Sequence, residues 1–339
     1  MGGNALSQPS LRLNKTDYEQ VVYSLYSLLK QTMNMSTDDF SVIKSYTNKS
    51  SFGDCDVIIK HNNKAEFFTK IKATNTFSEH VQNANVMSCN LNGFQIDFVV
   101  HSDKVYNFAQ RYYAFNDLGN LIGRVSRAMG FKFGHNGLFY TLYDQNDKDR
   151  VVAELLVTDN FYDALYFLGF NPTQYISAFE QCGYPFTELE DIFKYVVSSH
   201  YFNKKIFSFD NRNHHARVRD RKRKVYMQFL EYCETFNGPT MDRYDKNKFL
   251  QKAFLLFPQF ECNLKEANVL HEQNKQVTQV FNGNIVAEAC EHGITGKELG
   301  KFIGYLKSLP EFDNIVSSNS DDIPKWIKNM YEKWTVDVK

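Results

Sequence analysis

No sign of charge dominates this chain: 39 Lys and Arg stand against 39 Asp and Glu. Global charge therefore draws it neither to nucleic acid nor to an anionic surface, and any such affinity has to come from a local patch. Cysteine is sparse as well. The six, Cys55, Cys89, Cys182, Cys233, Cys262 and Cys290, lie far apart without a C-x-x-C pair, which argues against a zinc ribbon or a disulfide framework and fits a reducing cytoplasm. No stretch approaches the roughly 18 to 20 apolar residues that a bilayer span needs, so no membrane partner is expected. The start of the chain lacks a signal-peptide core. Met1 to Ser7 has the outline of a myristoylation signal, but Leu6 occupies the place that requires Ser or Thr, and the lipid anchor is rejected.

What is present is enough apolar material for a core. The 339 residues are 43% apolar, which excludes general disorder and allows about two or three domains. Aromatics are plentiful, with 30 Phe and 20 Tyr. Because Asn and Lys are frequent too, this reads mainly as the codon bias of an AT-rich genome rather than as a base-stacking surface.

The most informative segment is Gly53-Asp54-Cys55-Asp56 followed by Val57-Ile58-Ile59. Successive strand side chains point to opposite faces, so Asp54 and Asp56 share one, just past a turn. Further on, Phe94-Gln95-Ile96-Asp97-Phe98-Val99-Val100 alternates as a strand, with Asp97 its only charge and opposite the Ile96/Phe98 face. A neighbouring strand would bring Asp97 beside the pair. Three adjacent carboxylates cannot all stay ionised without cations, and two Mg²⁺, or Mn²⁺, relieve the repulsion in a site suited to phosphoryl chemistry. A Gly-Asp-x-Asp turn alone is an ordinary strand end; the charged strand residue Asp97 is what raises it above that.

Ser45-Tyr46, Gly53-Asp54-Cys55-Asp56 and the later Asp97 together resemble the DNA polymerase β-type nucleotidyltransferase superfamily, whose pattern is Gly-Ser, Asp-x-Asp and a third Asp. Lys44 stands where that pattern has glycine. The resemblance implies a small mixed-sheet palm in an α+β chain, with mainly helical domains after it. Residues 1–104 would be the palm, 105–240 a helical nucleotide- and nucleic-acid-binding region with a β-hairpin, and 241–339 a helical C-terminal domain. It also implies that Ser45 and nearby groups hold the β- and γ-phosphates of a nucleoside triphosphate, which makes Lys44, Ser45, Lys49, Ser50 and Ser51 the candidates. Asn120, Arg124, His135 and Asn136, in a region similar to the helix and Gly-Leu hairpin that contact the incoming nucleotide in such enzymes, are added to them. The alternative for that region is a capped helix and an ordinary turn.

Several elements are expected around these residues. Thr16-Asp17-Tyr18-Glu19 has the form of a capping box for a helix to about Gln31. Strands are predicted near 56–60, 67–71, 85–89 and 94–100, the last two joined by a hairpin at Asn90 to Gly93. Asp117 and Gly130 bound a helix, Asn136-Gly137 turns a hairpin, and Thr187-Glu188-Leu189-Glu190 starts another helix.

One local charge concentration stands out: Arg212, Arg217, Arg219, Arg221, Lys222, Arg223 and Lys224. It reads either as a solvated helix face or as a phosphate-binding surface for a nucleic-acid backbone. His214-His215 lacks acidic or Cys partners at ligand spacing, which argues against a metal there. Near the end, Gly293-Ile294-Thr295-Gly296-Lys297 resembles the tail motif of tRNA CCA-adding enzymes and poly(A) polymerases, with Gly293, Gly296 and Lys297 as candidate nucleic-acid contacts. A plain packing joint is the alternative. The opening Met1-Gly2-Gly3-Asn4-Ala5-Leu6 is similar to that of nucleotidyltransferase-like proteins of large bacteriophages, which implies the cytoplasm of a host.

The resulting expectation is metal-dependent transfer of a nucleoside monophosphate from an NTP to a hydroxyl, with pyrophosphate released. Asp54 and Asp56 would bridge the metals and triphosphate, and Asp97 would complete the ion that lowers the acceptor's pKa. The acceptor expected is an RNA 3′ end, with a DNA primer, a protein hydroxyl or a non-catalytic viral binding protein as rivals.

Overall fold

The structure, a computed structural model, describes residues 3–147, 149–181, 184–211, 214–291, 293–318 and 322–337. The chain folds as two compact units, one ending at Glu261 and the other beginning at Cys262. The class is α+β, as expected.

The first unit is organised by a five-stranded mixed sheet. A short pair, β1 (Leu13–Asn14) and β3 (Ser51–Phe52), lies apart from it; the sheet itself orders as β2 (Phe40–Val42), β4 (Asp54–Lys60), β7 (Phe94–His101), β6 (Val86–Leu91) and β5 (His80–Asn83). Only β4 and β7 run parallel. Period-two alternation sorts the two central strands. Cys55, Val57 and Ile59 from β4 and Ile96, Phe98 and Val100 from β7 join one buried cluster. Helices α1 (Lys15–Ser27) and α2 (Lys64–Ala73) contribute Leu25, Phe67, Phe68 and Ile71 to it, each such side chain worth about 1.5–3 kcal/mol when fully buried. The opposite face is covered only in part: Tyr106 of α3 (Asp103–Tyr113) packs on Ile58 and Val99. Asp54 and Asp56 share that face, nearer the start of β4.

Local chemistry explains most element ends. The β6–β7 connection uses Asn92 at φ 52° and Gly93 at φ 86°, the positive-φ pair of a tight hairpin turn, as the Asn-Gly sequence predicts. Helix α4 (Leu118–Met129) ends at Gly130, φ 97°, a left-handed stop. Two expectations change. Phe67 to Ile71 is helical rather than a strand, because Asn63 accepts a hydrogen bond from the Glu66 amide and starts α2. The first helix is capped by Asn14, which accepts from the Asp17 amide, instead of by Thr16; a π-turn over Leu28–Thr32 extends it to the expected end.

After α4, β8 (Phe131–Gly134), β9 (Gly137–Tyr143) and β10 (Val151–Thr158) form a separate antiparallel sheet, with His135 and Asn136 as the tip of the first hairpin. Helices α5 (Phe161–Phe167), α6 (Pro172–Glu180), α7 (Leu189–Val197), α8 (His214–Arg221), α9 (Lys224–Thr235) and α10 (Lys246–Leu256) complete this unit. The box that opens α7 joins Glu188 to Asp191, one residue later than predicted. The division falls within α11 (Pro258–Val280); beyond it α12 (Gly283–Ala289), α13 (Gly296–Ser308), α14 (Phe312–Ser317) and α15 (Ile323–Asp337) build a helical unit around Val286, Phe302, Leu306 and Ile327. No helix among the described residues is long and apolar enough to cross a membrane, and Cys55, Cys89, Cys233, Cys262 and Cys290 are free thiols; Cys182 lies outside the described residues.

Candidate active site

The parallel pairing of β4 and β7 sets Asp54 opposite Gln95 and Asp56 opposite Asp97. One carboxylate oxygen from each of Asp54, Asp56 and Asp97 lies within 4.8 Å of the others. Burial is the main reason all three carboxyls hold their protons above the usual range. For Asp56 the shift is large, with Asp54 and Asp97 adding repulsion; for Asp54 the Lys49 ammonium offsets part of it. Asp97 is eased by hydrogen bonds from Ser88 and Gln95. When ionised, the group concentrates negative charge that a cation could offset. Its donors are all hard carboxylate oxygens, which suit Mg²⁺ or Mn²⁺ and not a soft-ligand metal.

The triad opens into a cleft of about 1170 Å³ within the first unit. Of the residues predicted to hold nucleotide, Lys44, Ser45, Lys49, Ser51, Asn120, Arg124 and His135 line it; Ser50 and Asn136 do not. Arg219, Arg223 and Lys224 of the basic run line the same cleft, whereas Arg217 and Arg221 do not. The Arg221 guanidinium lies 5.4 Å from the centre of the Phe209 ring. Arg212 lies outside the described residues. Gly293, Gly296 and Lys297 belong to the second unit, where α13 starts at Gly296 with φ 56° and open space beside its Cα.

Two lysines of the lining are held differently. The Lys44 ammonium donates to the Phe179 carbonyl and sits over that residue's ring. Lys49 lies over the Phe52 ring at 4.7 Å, within the field of Asp54 and Asp56, and burial lowers its pKa. Its charge acts on both carboxylates, and that of Arg12 acts on Asp54. Arg12, which sequence reasoning missed, stands beside Lys49 and donates from Nε to Ser51 Oγ at 3.0 Å.

The far wall is built on Asp220, which is wholly buried. Arg124 of α4 donates to it at 2.6 Å, and Arg219 approaches at 3.4 Å. Arg223 is joined to Asp117, the residue before α4. One acid thus gathers guanidinium groups from two separate helices, and Arg127 and Lys224 add further positive charge to the lining. Arg124 Nε, Asn120 Nδ2 and Asn116 Oδ1 are buried without a hydrogen-bond partner among the described residues. Phe115 and Asn116 both have φ 62°, strained for a bulky residue such as Phe115, and this turn aims Asn116 at the cleft. Nothing in the local sequence signals that turn; only the positions of Asn120 and Arg124 were legible.

No family model matches the chain, and no curated protein matches it. Among solved structures, a similar one is the crystal structure of Leishmania infantum polymerase beta in a ternary P/T complex. That chain is 11% identical, with 47% of this chain and 73% of the other covered and a TM-score of 0.35.

Proposed function

We propose that the protein is a divalent-metal-dependent nucleotidyltransferase that moves a nucleoside monophosphate from an NTP to an acceptor hydroxyl, an RNA 3′ end being the favoured acceptor. The observation that carries this reading is the convergence of Asp54, Asp56 and Asp97 at the floor of a cleft whose walls carry Lys49, Arg124, Arg219 and Arg223. Carboxylates gather cations, and the surrounding cations suit a polyanionic substrate.

In the transfer, the acceptor oxygen forms a bond to the α-phosphorus as the bond to the pyrophosphate oxygen breaks, and the hydroxyl proton leaves to Asp97 or to water. Two Mg²⁺, bound by the triad, would acidify the acceptor hydroxyl and neutralise charge on the triphosphate. The chain's own residues do the remaining work. Asp54 and Asp56 would hold the ions that meet the phosphates, and Lys49 with Ser45 and Ser51 offers charge and hydrogen bonds to the leaving pyrophosphate. Asn116 and Asn120 present an acceptor and a donor to the bound nucleotide. Arg219, Arg223 and Lys224 neutralise acceptor phosphates without reading sequence. Gly293, Gly296 and Lys297 are proposed as nucleic-acid contacts on the strength of their sequence pattern. Host cytoplasm, with a phage as the source, is the setting proposed.

The deciding experiment incubates the full chain with each radiolabelled NTP or dNTP, Mg²⁺ or Mn²⁺, and RNA, DNA or protein. The expected result is metal-dependent labelling of RNA 3′ ends, with pyrophosphate released, that disappears in Asp97→Asn. Label on a DNA primer or on protein would reassign the acceptor, and no labelling of any acceptor would leave a non-catalytic binding protein.

A further inference from the structure

The register of β4 and β7 fixes where the backbones of the three aspartates lie, but not how their side chains are turned. What turns two of them is the segment from Gly3 to Arg12. The Gly3 backbone amide lies near enough to the Asp54 carboxylate to ease its charge. The backbone N–H of Ala5 donates to Gln95 Oε1 at 2.9 Å, and Gln95 Nε2 donates to both oxygens of Asp97, each at 2.9 Å. The Gln95 backbone N–H in turn donates to Ser10 Oγ at 2.9 Å, while Ser10 N–H donates to the Gly3 carbonyl at 2.9 Å. Gln95 is 2% exposed. A neutral amide can accept from a peptide N–H at one end and donate to a carboxylate at the other, and the Ala5 contact sets which end of Gln95 faces Asp97.

The segment also has to lie very close to the strand. A Cβ on Gly3 would stand 2.4 Å from the Gly53 carbonyl oxygen and 2.6 Å from Ser10 Cβ, and Gly3 has φ 83°. Glycine is required there on both counts. At its middle the segment is tied down again, where Ser7 donates from its amide and its hydroxyl to the Glu79 carboxylate at 2.9 Å each.

We propose that this N-terminal segment is part of the metal centre, with Gln95 as the positioning residue that couples it to Asp97 and so holds the outer carboxylates at the spacing the ions need. The inference rests on reading the triad as a divalent-metal site. Groups that orient metal ligands without touching the metal govern affinity by about 10–100-fold.

The test measures Mn²⁺ binding to the full chain by electron paramagnetic resonance, with thermal melting as the check on folding. Gln95→Met keeps the volume and removes both hydrogen-bonding ends; Ala5→Pro removes the N–H that reaches Gln95, while also fixing φ there and restricting Asn4, at an exposed residue. The expected result is a Kd for Mn²⁺ weakened about tenfold or more in both variants, with melting close to the parent's. If Gln95→Met does not fold, Ala5→Pro decides alone. A parent that binds Mn²⁺ and a folded variant that binds it equally well would overturn the inference while leaving the metal site standing. A parent without Mn²⁺ affinity would defeat the metal reading itself, and the inference with it.

Discussion

Asp56 and Asp97 face each other in the parallel register of β4 and β7, and the Asp56 carboxyl is pushed well above its usual range by burial first and by its two acidic neighbours second. Replacing Asp56 or Asp97 by Asn therefore has two effects of opposite sense. Transfer should fall by about 10²–10⁴-fold, since a ligand to the ions or a proton acceptor is lost. Metal-free stability at neutral pH should rise, because repulsion is relieved. A transfer assay and a melting curve on each variant check both; transfer near the parent rate in Asp97→Asn would remove that residue from the site.

The same shifts set a pH dependence. Asp54, Asp56 and Asp97 all have folded pKa values above their ordinary ones, so the folded state binds protons more tightly than the unfolded. The stability this supplies is complete below the usual carboxylate range and is lost as pH rises through the raised values. A cation bound by the ionised triad restores it. The rise in melting temperature caused by Mg²⁺ or Mn²⁺ should thus be small near pH ~4 and grow towards pH ~8, below and above the usual carboxylate range. A metal effect equal at both ends, read by scanning fluorimetry, would point to binding elsewhere.

The basic run divides according to which side chains reach the cleft. Arg219→Ala and Lys224→Ala should each reduce the slope of log affinity against log salt by roughly 0.7 for single-stranded RNA. Arg217→Ala should leave it unchanged, since Arg217 does not line the cleft. Filter binding across a salt series distinguishes these, and equal effects from all three would return the run to a diffuse charged face.

Asp220 is the anchor of that wall. Asp220→Asn leaves the Arg124 guanidinium, only 9% exposed, buried without its counter-charge, which should cost about 3–5 kcal/mol in urea unfolding. The double variant Arg124→Met with Asp220→Leu should cost less than either single change. A loss below about 1 kcal/mol for Asp220→Asn, typical of exposed pairs, would mean the pair is solvated.

Lys49 and Lys44 should behave differently although both line the cleft. Lys49→Ala is expected to weaken NTP binding about tenfold, roughly 1.4 kcal/mol. Lys44→Ala should leave it near the parent value, because that ammonium is held by the Phe179 carbonyl and ring. Fluorescent-nucleotide titration in the presence of Mg²⁺ compares the two, and a larger loss from Lys44→Ala would reverse the assignment.

Several parts of this molecule were determined by sequence alone. Asp54 and Asp56 share a face because strand side chains alternate, Asn92-Gly93 makes a hairpin because glycine and asparagine accept positive φ, and Gly130 ends α4 for the same reason. These are local properties, and local periodicity expresses them. Where a short apolar segment is ambiguous, sequence misleads: Phe67 to Ile71, expected as a strand, is made a helix by the Asn63 cap. The strand β10 has no clean alternation to read, because register shifts interrupt its pairing with β9 on either side of Ala153–Leu156. Only tertiary structure decided that Asp97 lies beside Asp56, that Asp220 collects the arginines, that Lys44 turns to Phe179, and that Gly3 and Gln95 hold the carboxylates. Each of these depends on groups far apart in the chain. Burial brings them to one place and removes the water that would otherwise satisfy them.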